Sequence, residues 1–371
     1  MRYVDLGTMK SHKKKGGKRY LFILIPLFLV ASAIIIKSFL KPLSVLSQII
    51  SPGSLQSTDG RTNVLILGLD KRDSGYMQTG MLTDTILVVS IGKSSSDIKL
   101  ISIPRDLWIT TKGSPSGKIN ALYAYGYGNG GTGANENAAN ATKSAVGAVL
   151  NIPIHYYIVV GFDGFKELVG ALGGVDVSVQ NTFDDYNYPI EGKEQDTCGV
   201  DISNMTPEEM DKTVFPCRYE HIHFEKGIVH MDGATALKYA RSRHAIGKES
   251  GDFSRAKRQQ EILIAAKNKM LTTGVLANPS KLRELYDLYQ KYVDTNISLN
   301  EVDDFYNLSR TVNLDNIKMV VLNNGDNEED GGLLYTPENA TLYGESYVLI
   351  PKIGDFSQIH AFVQKFLFSN E

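Results

Sequence analysis

Between residues 239 and 260 the chain reads YARSRHAIGKESGDFSRAKRQQ, which sets Arg241, Arg243, Lys248, Arg255, Lys257 and Arg258 against only Glu249 and Asp252. A guanidinium group is a rigid fork of donors that holds a phosphate or carboxylate through two parallel hydrogen bonds; a lysine ammonium is a point charge. This concentration of arginine calls for an anion. Two carboxylates supply a second element of the same chemistry: Asp70 closes the apolar run NVLILGLD, and Asp84 opens DTILVVSIG. At neighbouring strand ends they would offer the hard oxygen donors of a Mg2+-assisted phosphate site. The competing reading is that they cap turns. Arg105, in IPRDLW, ends a third apolar run; beside two metal-binding acids it suits a phosphate, and paired with Asp106 it is structural.

The elements that must position these groups are legible as patterns. Residues 252–271 predict a helix with Asp252 as its N-cap. Arg255 and Gln259 stand at i and i+4 on a stripe continued by Ile262 and Ala266, so the inward face starts polar and becomes apolar. Its first turns, the positive end of the helix dipole, would then meet the anion. Arg241 and Arg243 end the preceding helix, across a short Gly-bearing loop. Two helix ends therefore converge arginines on one polyanion. Lys257 and Arg258 have a solvated reading, which is the default for Lys257.

Near-continuous aliphatic runs at 63–70, 84–92, 98–106 and 155–162 suit strands buried on both faces. Helical patterns at 135–150, 163–172, 231–243, 252–271, 280–293 and 299–312 alternate with them. Late strands at 317–322 and 346–350 and a last helix near 355–368 complete the series. The alternation predicts an α/β/α sandwich around a central mixed sheet with a single core. Residues 180–225 read as an irregular insertion. GYGNGGTG (126–133) contains a formal GxGxxG but follows no strand, and reads as a loop. His221 and His223, alternating in EHIHF, are surface strand residues or metal ligands without a partner cluster. With 371 residues, 42% hydrophobic and 22% charged, the composition is that of a packed globular protein, and a net charge of −2 excludes the broad basic surface of a general nucleic-acid binder.

HKKKGGKR (12–19) precedes YLFILIPLFLVASAIII (20–36), an uncharged run at the short end of what spans about 30 Å of hydrocarbon. The basic flank on the N-terminal side predicts a cytoplasmic tail over 1–19 and a single-pass membrane helix over 20–36. A linker over 37–62 and an exported domain over 63–371 follow. A cleavable signal is the alternative. In that exported setting Cys198 and Cys217, the two cysteines of the chain, read as a disulfide rather than two buried thiols.

LILGLD, TDTILVVS, ISIPRD, FDGFKELVGALGGVDV, HMDGATALKYARSRH and GDFSRAKRQQ, in this order and spacing, make residues 60 to 271 resemble the LytR–CpsA–Psr family of membrane-anchored cell-wall ligases. The resemblance implies transfer of a phosphorylated glycan from a polyprenyl-pyrophosphate carrier to a peptidoglycan hydroxyl, forming a phosphodiester and releasing polyprenyl phosphate. It implies Mg2+ on Asp70 and Asp84, and the pyrophosphate on Arg105, Arg241, Arg243, Arg255 and Gln259. The carrier tail would lie in an apolar groove between sheet and helices. Asp252 is the candidate base for the acceptor hydroxyl, with N-capping the competing explanation. One position departs from the family's R-[ST]-D-T pattern: Leu82 stands where Arg is usual. Either Arg72, in LGLDKR, compensates, or affinity for metal and substrate differs. A polyprenyl-pyrophosphate hydrolase would use the same site with water as acceptor, and a receptor for lipid-linked anions would need the arginines without the acids.

Overall fold

The computed structural model describes residues 55–369, apart from 71–80, 94, 111–115, 129–130, 132, 207–213, 273–277, 299–300, 302–303, 306–307 and 309–316. Arg72 and the apolar run 20–36 lie outside the described residues. Among the described residues no helix is long and apolar enough to cross a membrane.

The first half of the chain forms β1 (Arg61–Asp70), β2 (Leu82–Gly92), β3 (Ile98–Ser102), β4 (Trp108–Ile109) and β5 (Gly117–Lys118). Then come α1 (Leu122–Gly128), α2 (Ala134–Leu150), β6 (Tyr156–Gly161), α3 (Phe162–Ala171), β7 (Val175–Val179) and β8 (Phe183–Pro189). The second half holds β9 (Tyr219–Phe224), β10 (Gly227–Met231), α4 (Gly233–Arg241), α5 (Gly251–Thr272) and α6 (Pro279–Tyr292). It ends with β11 (Val293–Thr295), β12 (Ile317–Val321), β13 (Leu334–Tyr335), β14 (Ile350–Pro351) and α7 (Ser357–Phe368).

Six strands form the central sheet in the order β11-β6-β1-β2-β3-β12. It is mixed: β1–β6 and β3–β12 run parallel, and the other pairs antiparallel. Alternation along the strands sorts the aliphatic runs into two layers. Leu65, Leu67, Ile86, Val88 and Ile101 pack with Val146 and Val149 of α2 and with Ile359 and Val363 of α7. On the opposite face Val64, Ile66, Leu87, Val89 and Ile158 meet Ile297, Leu263 of α5 and Tyr289 of α6. This is the expected sandwich.

Three expectations are corrected. The core is not single: a third cluster joins Val177, Phe183, Ile222, Phe224, Tyr239, Ile262 and Met270, tying α4 and α5 to two ribbons beside the main sheet, β7–β10 and β8–β9. Residues 180–225 are not irregular throughout, since their two ends pair as β8–β9, and the intervening segment is closed by the Cys198–Cys217 disulfide. Pairing over such a separation leaves no local signature. The domain also starts before residue 63. Leu55 packs on the sheet, the Gln56 amide donates to Tyr156 Oη (2.9 Å), and β1 begins at Arg61. Two smaller differences follow. The run 346–350 contributes only the start of β14, and Gly126 and Gly128 of the Gly-rich stretch belong to α1 rather than a loop.

His155 fastens this N-terminal edge. Its Nδ1 accepts from the Asn63 amide (3.0 Å) and its Nε2 faces Thr58 Oγ1 (3.1 Å). Burial, and then Lys143, push its pKa below the ordinary 6.5. The unfolded chain therefore binds a proton that the folded one refuses, so this contribution is complete above about pH 6.5 and is lost as pH falls below it. Thermal unfolding at pH 5 and pH 7 should show a drop in Tm on acidification that His155→Asn reduces; an identical drop in both proteins would contradict this.

Candidate active site

The site begins with a strand irregularity. Gly68 pairs with Thr85 and Leu69 with Thr83, so Asp84 is an extra residue on β2, a β-bulge. Bulges re-aim a side chain at the end of a ladder. Gly68 permits it, because a Cβ there would lie 2.8 Å from Thr85 Cβ. Asp70, buried at the end of β1, pairs with Leu82, two residues before Asp84. The hairpin therefore delivers both carboxylates to one end of the sheet. On the other side of β1, Leu69 pairs with Gly161, so Phe162, which opens α3, emerges at that same end.

Three arginines close on Asp84 and on Asp252, from the first turn of α5. Arg105 Nη1 donates to Asp84 Oδ1 (2.6 Å) and its Nε to Asp252 Oδ2 (3.1 Å). Arg243 Nε donates to Asp252 Oδ1 (2.6 Å). Arg255 Nη2 donates to the Asp84 carbonyl (3.0 Å) and stands 3.5 Å from Asp252 Oδ2, with Nη1 3.9 Å from Asp84 Oδ2. Burial alone would weaken these charges, and the neighbours decide the outcome. Burial would lower the pKa of Arg105, but Asp84 and Asp252 outweigh it and hold the guanidinium charged. Burial would raise that of Asp252, but Arg255, Arg243 and Arg105 keep it below the usual carboxylate range. In Arg255 burial wins over Asp252 and Asp84, and its pKa falls to about 10, still charged at neutral pH. Its Nε is buried without a hydrogen-bond partner. Arg105 Nε also stands 3.5 Å from Asp106 Oδ2, an acid shared with Lys118. The pairing of Arg105 with Asp106 is thus present beside its bonds to Asp84 and Asp252, and three guanidinium groups converge on one cluster of carboxylates.

The expected convergence of two helix ends is present, with four amendments. Asp252 does not cap α5: the helix starts at Gly251, and the side chain lies in its first turn, bonded to arginines. Arg258 is not solvated. It is 1% exposed, donates to the Tyr239 and Ser242 carbonyls and to Glu249, and lies over the Phe183 ring. Arg241 is turned to the Phe162 ring, 4.2 Å from its centroid. That contact places it beside the strand end of Asp70 but outside the acid–arginine group. Gln259 Nε2 donates to the Ala240 carbonyl (3.3 Å), holding the last turn of α4. Lys257 is exposed, as expected.

Asp185 is the residue that sequence reasoning missed. Fully buried on β8, it accepts from Ser242 Oγ (2.7 Å) and from the amides of Arg243 (3.3 Å) and His244 (3.1 Å). The Gly251 amide donates to the Arg243 carbonyl (2.9 Å), so the backbone of Arg243 is fixed from both sides. No local pattern marks Asp185, because its partners lie almost sixty positions on. Asp185→Asn turns an amide toward two N–H donors, and bonds to a charged acceptor are worth about 1.5–3 kcal/mol. Expected is at least a tenfold loss of binding of a lipid-linked diphosphate by surface plasmon resonance, with the fold retained by circular dichroism; unchanged affinity would contradict the role.

The donor chemistry fits a hard cation. Two carboxylates at one hairpin end, completed by phosphate oxygens and water, make the set that Mg2+ takes. Among the described residues the one group of three close ligand side chains is Asp196, Cys198 and Cys217, whose sulfurs are spent in the disulfide.

Comparison with known proteins extends the resemblance. The model of the LytR_cpsA_psr family matches residues 43–345. TagV of Bacillus subtilis (strain 168), named a polyisoprenyl-teichoic acid–peptidoglycan teichoic acid transferase, is 31% identical over 222 residues, covering 59% of this chain and 46% of TagV. The cell wall biosynthesis protein LcpA of Corynebacterium glutamicum is 28% identical over 343 residues, covering 84% of this chain and 56% of LcpA. The matches thus span about half the length of these curated relatives. The crystal structure of B. subtilis TagV superposes with a TM-score of 0.54 at 25% identity, over 85% of this chain and 100% of that one. A structure of TagT bound to LIIa-WTA shares the fold, with a TM-score of 0.53 at 21% identity, over 85% of this chain and 100% of that one.

Proposed function

The chain belongs to the LytR_cpsA_psr family, and from that premise we propose that it is a glycopolymer–peptidoglycan phosphotransferase. The donor is a phosphorylated glycan on a polyprenyl-pyrophosphate carrier. An acceptor hydroxyl of peptidoglycan attacks the glycan-bearing phosphorus, the bond from that phosphorus to the bridging oxygen breaks, and polyprenyl phosphate leaves. The observation that carries this reading is the buried acid–arginine group, with three guanidinium groups converging on one point and the unpartnered Nε of Arg255. It is a centre built for an anion with more than one charge.

In this account Arg105, Arg243 and Arg255 bind the diphosphate and neutralise charge on the leaving phosphate. Asp70 and Asp84 would hold Mg2+, which when bound lowers the cost of gathering negative charge on the phosphate oxygens. Arg241 and Gln259, the other diphosphate ligands implied by the resemblance, are engaged by the Phe162 ring and the Ala240 carbonyl and would have to leave these partners to reach it. Asp252 first holds the guanidinium groups in place. An arriving diphosphate competes for those same groups, and each one handed over raises the proton affinity of Asp252. Its strength as a base then rises only with donor in place, which suits removal of the acceptor's proton. The basic flank and apolar run at 12–36 support a single-pass anchor with the catalytic domain outside the cytoplasmic membrane, where both the carrier and the wall are reached. The function is tested by supplying the carrier-linked glycan, Mg2+ and peptidoglycan oligomers and weighing the products.

A further inference from the structure

The outer face of the β8–β9 ribbon carries side chains that donor binding does not use. Alternation turns Phe183, Asp185, Ile222 and Phe224 inward, and leaves Asp184, Tyr186, His221 and His223 on the outside. Tyr186 is 55% exposed and lies flat on the ring of His221, centroids 4.1 Å apart and planes within 5°. Asp184 Oδ1 stands 2.8 Å from His221 Nε2 and 2.8 Å from His223 Nδ1, and Glu225 Oε2 is 2.9 Å from His223 Nε2. The exposed Ile246 adjoins them, its amide donating to the Asp184 carbonyl (2.9 Å). No three of these acids and imidazoles bring ligand atoms within 4.8 Å of one another, so this is not a preformed metal site.

A flat aromatic pair, held at its edge by a carboxylate and bordered by an aliphatic side chain, suits a sugar ring. The C–H face of a pyranose packs on aromatic rings, while its rim hydroxyls reach carboxylates and imidazoles. Charge decides which sugar. Asp184 and Glu225 hold His223 between them and raise its pKa. Even with that imidazole charged, these acids leave no free cation on the face for a phosphate-bearing donor polymer, and a saccharide without phosphate is the better match. The ribbon itself is tied to the active site, since Asp185, which follows Asp184 and faces inward, holds the Arg243 amide. We propose that the Tyr186–His221 face is a docking subsite for a saccharide of the peptidoglycan acceptor, a deepening that rests on the transferase reading above. Docking there supplies acceptor hydroxyl at high local concentration beside the diphosphate.

The test uses full-chain protein in detergent micelles and defined peptidoglycan oligomers, without donor for calorimetry and with donor for kinetics. Tyr186→Ala should weaken oligomer binding about tenfold and raise the acceptor KM by the same factor against a donor KM that stays within twofold. Tyr186→Phe, which keeps the ring, should bind like wild type. Unchanged affinity in Tyr186→Ala, an equal loss in Tyr186→Phe, a parallel rise of the donor KM, or no oligomer binding by wild type would each overturn the subsite. If wild type binds oligomers through Tyr186 yet forms no transfer product, the saccharide subsite stands and the transferase reading falls.

Discussion

Arg255→Lys should lower kcat/KM for carrier cleavage by about 10- to 100-fold with the fold intact. Arg255 is the most enclosed of the three arginines, at 5% exposure, and its guanidinium spans the Asp84 carbonyl, both carboxylates and a buried Nε without a partner. Lysine keeps one charge but cannot reach these directions together. A lost charge-assisted contact costs about 1.5–3 kcal/mol, and each 1.4 kcal/mol is tenfold. Arg255→Ala should go further, because Asp252 and Asp84 then lose a buried counter-charge. Initial rates of polyprenyl phosphate release, read beside circular dichroism, check this. A lysine variant with wild-type kcat/KM would show that the fork is not used on substrate.

Asp84→Ala should be more damaging, about 1,000-fold or more in turnover. The change removes one of two proposed Mg2+ carboxylates and at once frees Arg105 Nη1 from its 2.6 Å partner. Loss of a single electrostatic contact at a charge-developing oxygen costs about 100- to 1,000-fold, and here the proposed metal carboxylate goes together with the acid that positions Arg105. A Mg2+ titration of cleavage should saturate for wild type and stay flat for Asp84→Ala, with chelator abolishing the wild-type rate. Retention of wild-type turnover in chelator would remove the metal from the account. Stability should fall as well, because Arg105 and Arg255 are left short of a buried counter-charge, so turnover is read on protein shown to be folded by circular dichroism.

Much of this site is legible in the sequence because its groups stand at ends of strongly patterned elements. The aliphatic runs ending in Asp70 and preceding Arg105 can only be strands, and the polar-to-apolar stripe from Arg255 to Ala266 fixes which end of α5 faces the ligand. What the sequence hides depends on contacts distant along the chain. The bulge at Asp84 is a property of register, set by the partner strand rather than by the residues of β2. Arg258 stands three residues from Arg255 and looks like any surface cation, but the carbonyls of Tyr239 and Ser242 and the rings of the third cluster take it inside. Asp185 and the ribbon it belongs to are invisible for the same reason: β8 finds β9 across the disulfide-closed segment, and only then does an inward carboxylate meet the Arg243 loop.

The choice between transferase and hydrolase rests on where the phosphoglycan goes. Full-chain protein in detergent micelles is given carrier-linked pyrophosphoryl glycan and Mg2+, with and without peptidoglycan oligomers, and every product is weighed by mass spectrometry. The account predicts that oligomers divert the phosphoglycan into a glycan–phosphate–peptidoglycan adduct, with one polyprenyl phosphate released per adduct. Cleavage at the same rate to free phosphoglycan alone, whatever acceptor is supplied, would contradict it and make the protein a hydrolase.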